Sequence, residues 1–164
     1  MTIDIQITVF DRTSELYRFL RESNALASLE LFSKTHQKDI PKGNIGYVLT
    51  VYGEVAGAAS MYDEQDGGWL NELFEIVPKF RGLGLSRQFY RMVKEDLQAD
   101  FIHGFTTSDE TQQLWEHLGQ VCIDQDYREM IELCDGRTVE EYLKEERPEL
   151  LEKWKELYTT PRKS

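Results

Sequence analysis

The stretch Ile76-Val77-Pro78-Lys79-Phe80-Arg81-Gly82-Leu83-Gly84-Leu85-Ser86 decides the fold. The stretch from Trp69 to Val77 predicts a strand, and Leu85, Phe89, Met92, Val93 and Leu97 recur at helical spacing just after it. A strand that runs through a short turn into a helix makes an anion cradle. Gly82 and Gly84 let the backbone approach a ligand without Cβ interference, and the first N–H groups of a helix lack intrahelical partners. The helix dipole adds roughly half a positive charge at that end. Arg81 adds a full one, so a phosphate or pyrophosphate is the natural guest. The turn is shorter than a Walker loop and lacks its Lys-Ser/Thr. It also lacks the third glycine of a dinucleotide fingerprint.

Outward from this turn, strands and helices follow one another. Ile3, Ile5, Ile7 and Val9 alternate with polar residues, which predicts a half-buried first strand. Thr13 and Ser14 are placed to cap a helix carrying Leu16, Phe19 and Leu20, with a second helical stretch from Ser28 to His36. Pro41, Gly43 and Gly46 break that pattern. Tyr47 to Val51 and Val55 to Tyr62 read as a hairpin around Tyr52-Gly53-Glu54. After the long helix, Phe101 to Thr106 is a strand, and Thr107-x-x-Glu110 reads as a capping box for a helix closed by Gly119. Val121 to Asp124 and Arg128 to Leu133 form a last strand pair. The order indicates an α/β (α+β) fold with a mixed, mainly antiparallel sheet flanked by helices. Residues 135–164 change character. Thr138-x-x-Glu141 is a capping box, Pro148 suits a first helical turn, and Leu150, Leu151, Trp154, Leu157 and Tyr158 share one face. That face either packs on its own domain or joins a second copy, as a homodimer, or a partner.

Two motifs carry a family resemblance. Arg81-Gly82-Leu83-Gly84-Leu85-Ser86 resembles the acyl-CoA pyrophosphate loop of the GNAT N-acetyltransferase superfamily, R/Q-x-x-G-x-G/A, with Ser86 at the last small position. Further on, Ser108-Asp-Glu-Thr-Gln-Gln-Leu-Trp-Glu-His-Leu-Gly119 resembles the family's N-x-x-A-x-x-L-Y-E-K-L-G helix. The resemblance covers about residues 3 to 134. It implies a GNAT-like acyl-CoA-binding domain over 1–134 and a C-terminal helical extension over 135–164. It also implies acetyl-CoA as co-substrate, held by Ile76, Val77, Arg81, Gly82, Leu83, Gly84, Leu85, Ser86 and Ser108.

Composition bounds the partners. A chain of 164 residues buries roughly 70% of its unfolded surface, enough for one soluble domain. No apolar run reaches the roughly 20 residues that span a bilayer. The N-terminus lacks a basic start and an apolar signal core, so no membrane association and a cytoplasmic location are expected. Cys122 and Cys134 form no C-x-x-C and there are three histidines, which predicts neither a disulfide framework nor a metal site. A formal net charge of -11 repels nucleic acid and favours basic amines or lysine-containing proteins.

Amine acylation needs a base for the ammonium proton, and the leaving thiolate benefits from an acid. The resemblance places Trp115 where the family often has its Tyr acid, and an indole N–H donates no proton usefully. Ser108 stands at a common Asn, and Gln120 at a common aromatic. Glu72 and Glu75, on opposite faces of the strand before the cradle, and His103, on the next strand, are the candidate bases. The sequence thus predicts an N-acetyltransferase for a primary amine. The alternative is a catalytically degenerate relative serving as a structural or protein-binding module. An acidic decoy for a nucleic-acid site is a third reading, resting on net charge alone.

Overall fold

A computed structural model describes residues 3–40 and 44–159; the expected breaks at Pro41 and Gly43 lie outside the described residues. The fold is a mixed α/β one with a mainly antiparallel sheet flanked by helices, and the chain divides into two compact units between Gln98 and Ala99.

In the first unit, β1 (Ile5–Phe10), β2 (Asn44–Val51), β3 (Glu54–Asp63) and β4 (Gly68–Ile76) form an antiparallel meander in that order. Tyr52 and Gly53 both take left-handed backbone, φ 48° and 80°, and make the tight β2–β3 turn. One sheet face is covered by α1 (Thr13–Glu22) and α2 (Glu30–Lys34), whose Leu16, Leu20 and Phe32 share a core with Val48 and Ala58. The approach is close: a Cβ on Gly46 would lie 2.7 Å from Leu16 Cδ2. The other face meets α3 (Leu85–Leu97), where Phe89 packs 5.0 Å from Phe74 and the Tyr47 hydroxyl donates to Asp96 Oδ2 at 2.6 Å. The expected cap of α1 is not formed. Its N-cap is Arg12, no side chain caps it, and the Thr13 hydroxyl is buried without a partner because Thr13 is already the first helical residue.

In the second unit, β5 (Phe101–Phe105), β6 (Val121–Asp124) and β7 (Glu129–Leu133) pair antiparallel with β7 in the middle. Between β5 and β6 lies α4 (Asp109–His117). Its cap is Ser108, not the expected Thr107: the Ser108 hydroxyl accepts from Thr111 N–H at 3.2 Å, one register later than the Thr107/Glu110 pair implied. The Thr138/Glu141 capping box is formed and opens α5 (Val139–Glu146), and Pro148 begins α6 (Pro148–Thr159). These two helices share a core with the strands. Tyr142, Leu143 and Leu150 are buried with Phe101, Ile123 and Ile131, and Leu151 and Trp154 pack on that cluster. Leu157 and Tyr158 are half exposed, although the Tyr158 hydroxyl donates to the Cys122 carbonyl at 2.9 Å. Among the described residues no helix is long and apolar enough to cross a membrane.

Leu143 is fully buried in this cluster. Leu143→Ala should therefore lower the unfolding free energy by about 2 to 5 kcal/mol, transfer loss plus cavity. Urea unfolding measures it, and an unchanged midpoint would show that the helices do not stabilise the unit.

Candidate functional site

The C-terminal half of β4 positions the first candidate groups. Ser60 opposes Leu73 and the next residue, Met61, opposes Asn71, so Glu72 is the extra residue of a β-bulge. Bulges bend a strand and re-aim side chains. The Glu72 carboxylate is half buried, and burial pushes its pKa up from the ordinary value. Among the described residues no hydrogen bond or ion pair engages it. Beside it the Asn71 Oδ1 is buried with no partner, an arrangement that costs about 1 to 3 kcal/mol when no donor is supplied.

Glu75 faces the other way, as the strand alternation requires. Its Oε2 accepts from Leu31 N–H at 2.9 Å and Phe32 N–H at 3.4 Å, the orphan donors at the start of α2. Burial pushes this carboxyl up in pKa, against the pull of those N–H groups and of Arg81. The Tyr17 hydroxyl donates to the Phe32 and Thr35 carbonyls at 3.0 and 3.3 Å, and burial, with Glu75 adding to it, pushes its pKa up to about 12. Glu75 and Tyr17 thus pin α2 to the sheet and to α1. Of the two strand carboxylates, Glu72 is the uncommitted one.

Past β4 the backbone turns through a 3-10 segment, Pro78–Phe80, with Phe80 and Arg81 N–H groups donating to the Val77 and Pro78 carbonyls. Val77 N–H donates to the Ala56 carbonyl at 2.7 Å, which anchors the turn to β3. Arg81 Nε then donates back to the Ile76 carbonyl at 3.0 Å, and its terminal nitrogen stands 3.9 Å from Glu75 Oε1. Gly82 and Gly84 have φ of 82° and 75°, and a Cβ added to either would meet nothing within 4 Å. Open space therefore lies over the loop. Gly84 is the N-cap of α3, and no side chain caps that terminus. Leu83 is 61% exposed while Leu85 is buried and plugs the helix into the core; Ser86 follows it in the first turn.

In the second unit His103 lies on β5 between the rings of Phe101 and Phe105. Its Nδ1 is 3.6 Å from Glu129 Oε2, and Arg147, between α5 and α6, donates to both oxygens of Glu129 at 3.2 and 3.0 Å. Burial raises the Glu129 pKa, but the hydrogen bonds and charges of His103 and Arg147 outweigh it and hold the carboxyl below its ordinary value. Sequence reasoning missed Glu129 and Arg147, because no local motif links a strand glutamate to an arginine in a later helix junction. Ser108 is engaged in the α4 cap and its hydroxyl lies 2.9 Å from that of Thr111. Trp115 is buried at 7% exposure.

No family model matches the sequence, and no curated protein matches it significantly. Solved structures do match. The ribosomal-protein-S18-alanine N-acetyltransferase of Escherichia coli is similar at 16% identity and TM-score 0.55, covering 78% of this chain and 90% of its own. An acyl-CoA N-acyltransferase of Pseudomonas aeruginosa matches at 16% identity and TM-score 0.55, over 78% of this chain and 97% of its own. An IAA acetyltransferase of Bacillus cereus matches at 14% identity and TM-score 0.54, over 78% and 96%. A strand, an open glycine turn and a helix without a side-chain cap, set in a mainly antiparallel sheet, define an α/β protein with an open helix terminus beside its central strand. The chain has the fold of the GNAT N-acetyltransferases.

The Glu129 contacts set a pH dependence. A carboxyl held below its ordinary pKa stabilises the fold when ionised, and that contribution is lost as pH falls through the folded value. Glu129→Gln removes it. The stability gap between native protein and variant should be widest near neutrality and close on acidification, read by denaturant unfolding across a pH series. A gap independent of pH would exclude the assignment.

Proposed function

We propose that this chain is an acetyl-CoA-dependent N-acetyltransferase acting on a primary amine of a small molecule or a protein lysine. The observation that carries the reading is the pairing, within one unit, of the open Gly82/Gly84 cradle at the uncapped α3 terminus with the uncommitted Glu72 on the bulge of the preceding strand. The cradle fits a diphosphate. Both glycines leave their space open, and the Arg81 side chain is 56% exposed while its Nε holds the loop shut behind it. Backbone N–H groups of the first α3 turn, from Leu85 and Ser86 onward, would hold the phosphate oxygens, with Ile76, Val77 and Leu83 flanking the extended arm.

Acetyl-CoA supplies a thioester whose C–S bond breaks as the new C–N bond forms, the thiolate leaving to take up a proton. Glu72 removes the ammonium proton, so that the nitrogen lone pair is available. Its raised pKa strengthens it as a base, provided it is ionised. His103, with Glu129 facing its Nδ1, is the second candidate base. Trp115 offers no acid, and a thiol is a tolerable leaving group without one. A second reading is favoured by Trp115 and by the use of Ser108 as a helix cap: a relative that keeps the fold and binds acetyl-CoA or a partner protein without turnover.

Calorimetry tests the cradle. The native protein should bind acetyl-CoA, and Gly84→Val should weaken binding by several kcal/mol, about 2 to 4, because a β-branched residue is strained at φ 75° and crowds the phosphate oxygens. Failure of the native protein to bind would sink the reading.

Glu72→Gln and His103→Ala, assayed separately for thiol release with amines and basic peptides, test the base. Loss of the true base should slow turnover by about 10² to 10⁴ with acetyl-CoA affinity retained. For Glu72 the rate should rise with pH through a value above the ordinary carboxylate range. If neither substitution changes a measurable native rate, both assignments fail. If the native protein binds acetyl-CoA but releases no thiol with any acceptor, the non-catalytic reading stands.

A further inference from the structure

In the meander of the first unit β1 is an outer strand: among the described residues β2 pairs with one of its edges and no strand with the other. The Tyr52 N–H donates to the Asp4 carbonyl at 2.9 Å, and Asp4 continues the register that sets Ile5 opposite Val51. Asp4 is thus a hydrogen-bonded position, and by the period of two Gln6, Thr8 and Phe10 are the next ones. The N–H and C=O groups of Ile5, Ile7 and Val9 therefore point away from β2. Their side chains line the sheet face opposite the α1/α2 core, since Thr8 stands beside Val48 of that core, and Val9 is exposed.

Outer strands are commonly blunted by a lysine, a proline or a bulge, or are covered. In the second unit the outer strand β6 has only four residues, and the Tyr158 hydroxyl engages its Cys122 carbonyl. β1 has none of these devices. Ile5-Gln6-Ile7-Thr8-Val9-Phe10 carries no charge, in a chain whose net charge of -11 opposes self-association elsewhere. Asp4 precedes this run, and Asp11 and Arg12 follow it. Among the described residues no ion pair engages Asp4 or Arg12, and Arg12 keeps extended backbone at φ -140° and ψ 140°.

The outward groups of two such edges meet only where odd-numbered residues face odd-numbered ones, which rules out the register that would set Asp4 against Asp11. We propose that a second copy of this chain adds to the edge, β1 antiparallel to β1 about a two-fold axis at Thr8. In that register Ile7 of each copy lies opposite Val9 of the other, and Asp4 opposite Arg12. The apolar row is covered by its own kind, and the flanking charges are paired twice. A shift of two residues either way loses both Asp4–Arg12 pairs. One strand pair buries less than the about 1,200 Å² of a standard interface, so the dimer is weak, with a dissociation constant in the micromolar range. It needs no acetyl-CoA, and its test needs no turnover.

Sedimentation velocity of the full chain, from about 1 μM to about 1 mM, should show a reversible monomer–dimer equilibrium. Asp4→Arg sets Arg against Arg12 twice, and Arg12→Asp sets Asp against Asp4 twice, so each should weaken self-association at least about tenfold. Mixed in equal amounts the two variants should associate as the native protein does, because the mixed pair regains both ion pairs. Arg12→Asp leaves α1 a favoured N-cap residue, and matching circular dichroism of both variants checks the fold. Thr8→Cys, with the exposed Cys134 replaced by Ser, should oxidise to a covalent dimer. At the two-fold axis the facing Cα atoms lie about 4.5 Å apart, a spacing that disulfides accept. Gln6→Cys in the same background should stay monomeric under the same oxidation. A native chain that is monomeric up to the highest concentration would overturn the inference. Single variants that dimerise as the native chain does, a mixture that fails to restore association, or a Gln6→Cys cross-link as ready as that of Thr8→Cys would do so too.

Discussion

The Glu75 carboxylate, buried at the end of β4, is the grip on which the first unit depends. One oxygen accepts the free N–H groups that start α2; the other faces the Arg81 guanidinium, whose Nε closes the cradle turn on Ile76. A five-residue helix such as α2 is too short to persist on its own. Tethering by Glu75 and by the Tyr17 hydroxyl lets it cover one face of the sheet. The same carboxylate orders the residues that enter the cradle, so helix and loop have a common anchor. This accounts for a charged group at 5% exposure: its lone pairs are satisfied by backbone donors, which offsets the desolvation that raises its pKa.

Much of the architecture was legible because it rests on local pattern. The hairpin at Tyr52-Gly53, the stripe of α3 and the Thr138/Glu141 box all depend on neighbours within a few residues, and each takes shape where its pattern places it; β1 forms as well, but it begins at Ile5, and Ile3 and Val9 of its expected buried face are exposed at 51% and 41%. Caps were less legible. Thr13 is drawn inside α1, and Ser108 displaces Thr107, because which hydroxyl caps a helix depends on where the backbone leaves extended geometry, a matter of one residue that the spacing of apolar residues does not fix.

The backbone geometry of the candidate site was legible in part for the same reason. Arg81, Gly82 and Gly84 declare themselves through conformational requirements written into a few consecutive positions. The distinction between Glu72 and Glu75 does not, since it needs the β3 register and the donors of α2, which lie more than forty residues away along the chain. The same is true of the bulge: nothing in Leu70-Asn71-Glu72-Leu73 marks an extra residue, and only the pairing with Ser60 and Met61 reveals it. Likewise the Glu129–Arg147 pair is made by tertiary packing of α5 and α6, so it left no signal at short range.

The cradle glycines carry one more consequence. Around Gly82 and Gly84 there is room for a side chain, so the obstacle to replacing either is the sign of its φ. A steric clash can be relieved by trimming the neighbour that causes it, whereas a left-handed backbone has no such neighbour to trim. Second-site suppression is therefore closed to these positions: revertants of a damaged loop would restore glycine itself, or asparagine or aspartate, and the lineage of this loop is confined to a narrow corridor even though the space around it is empty.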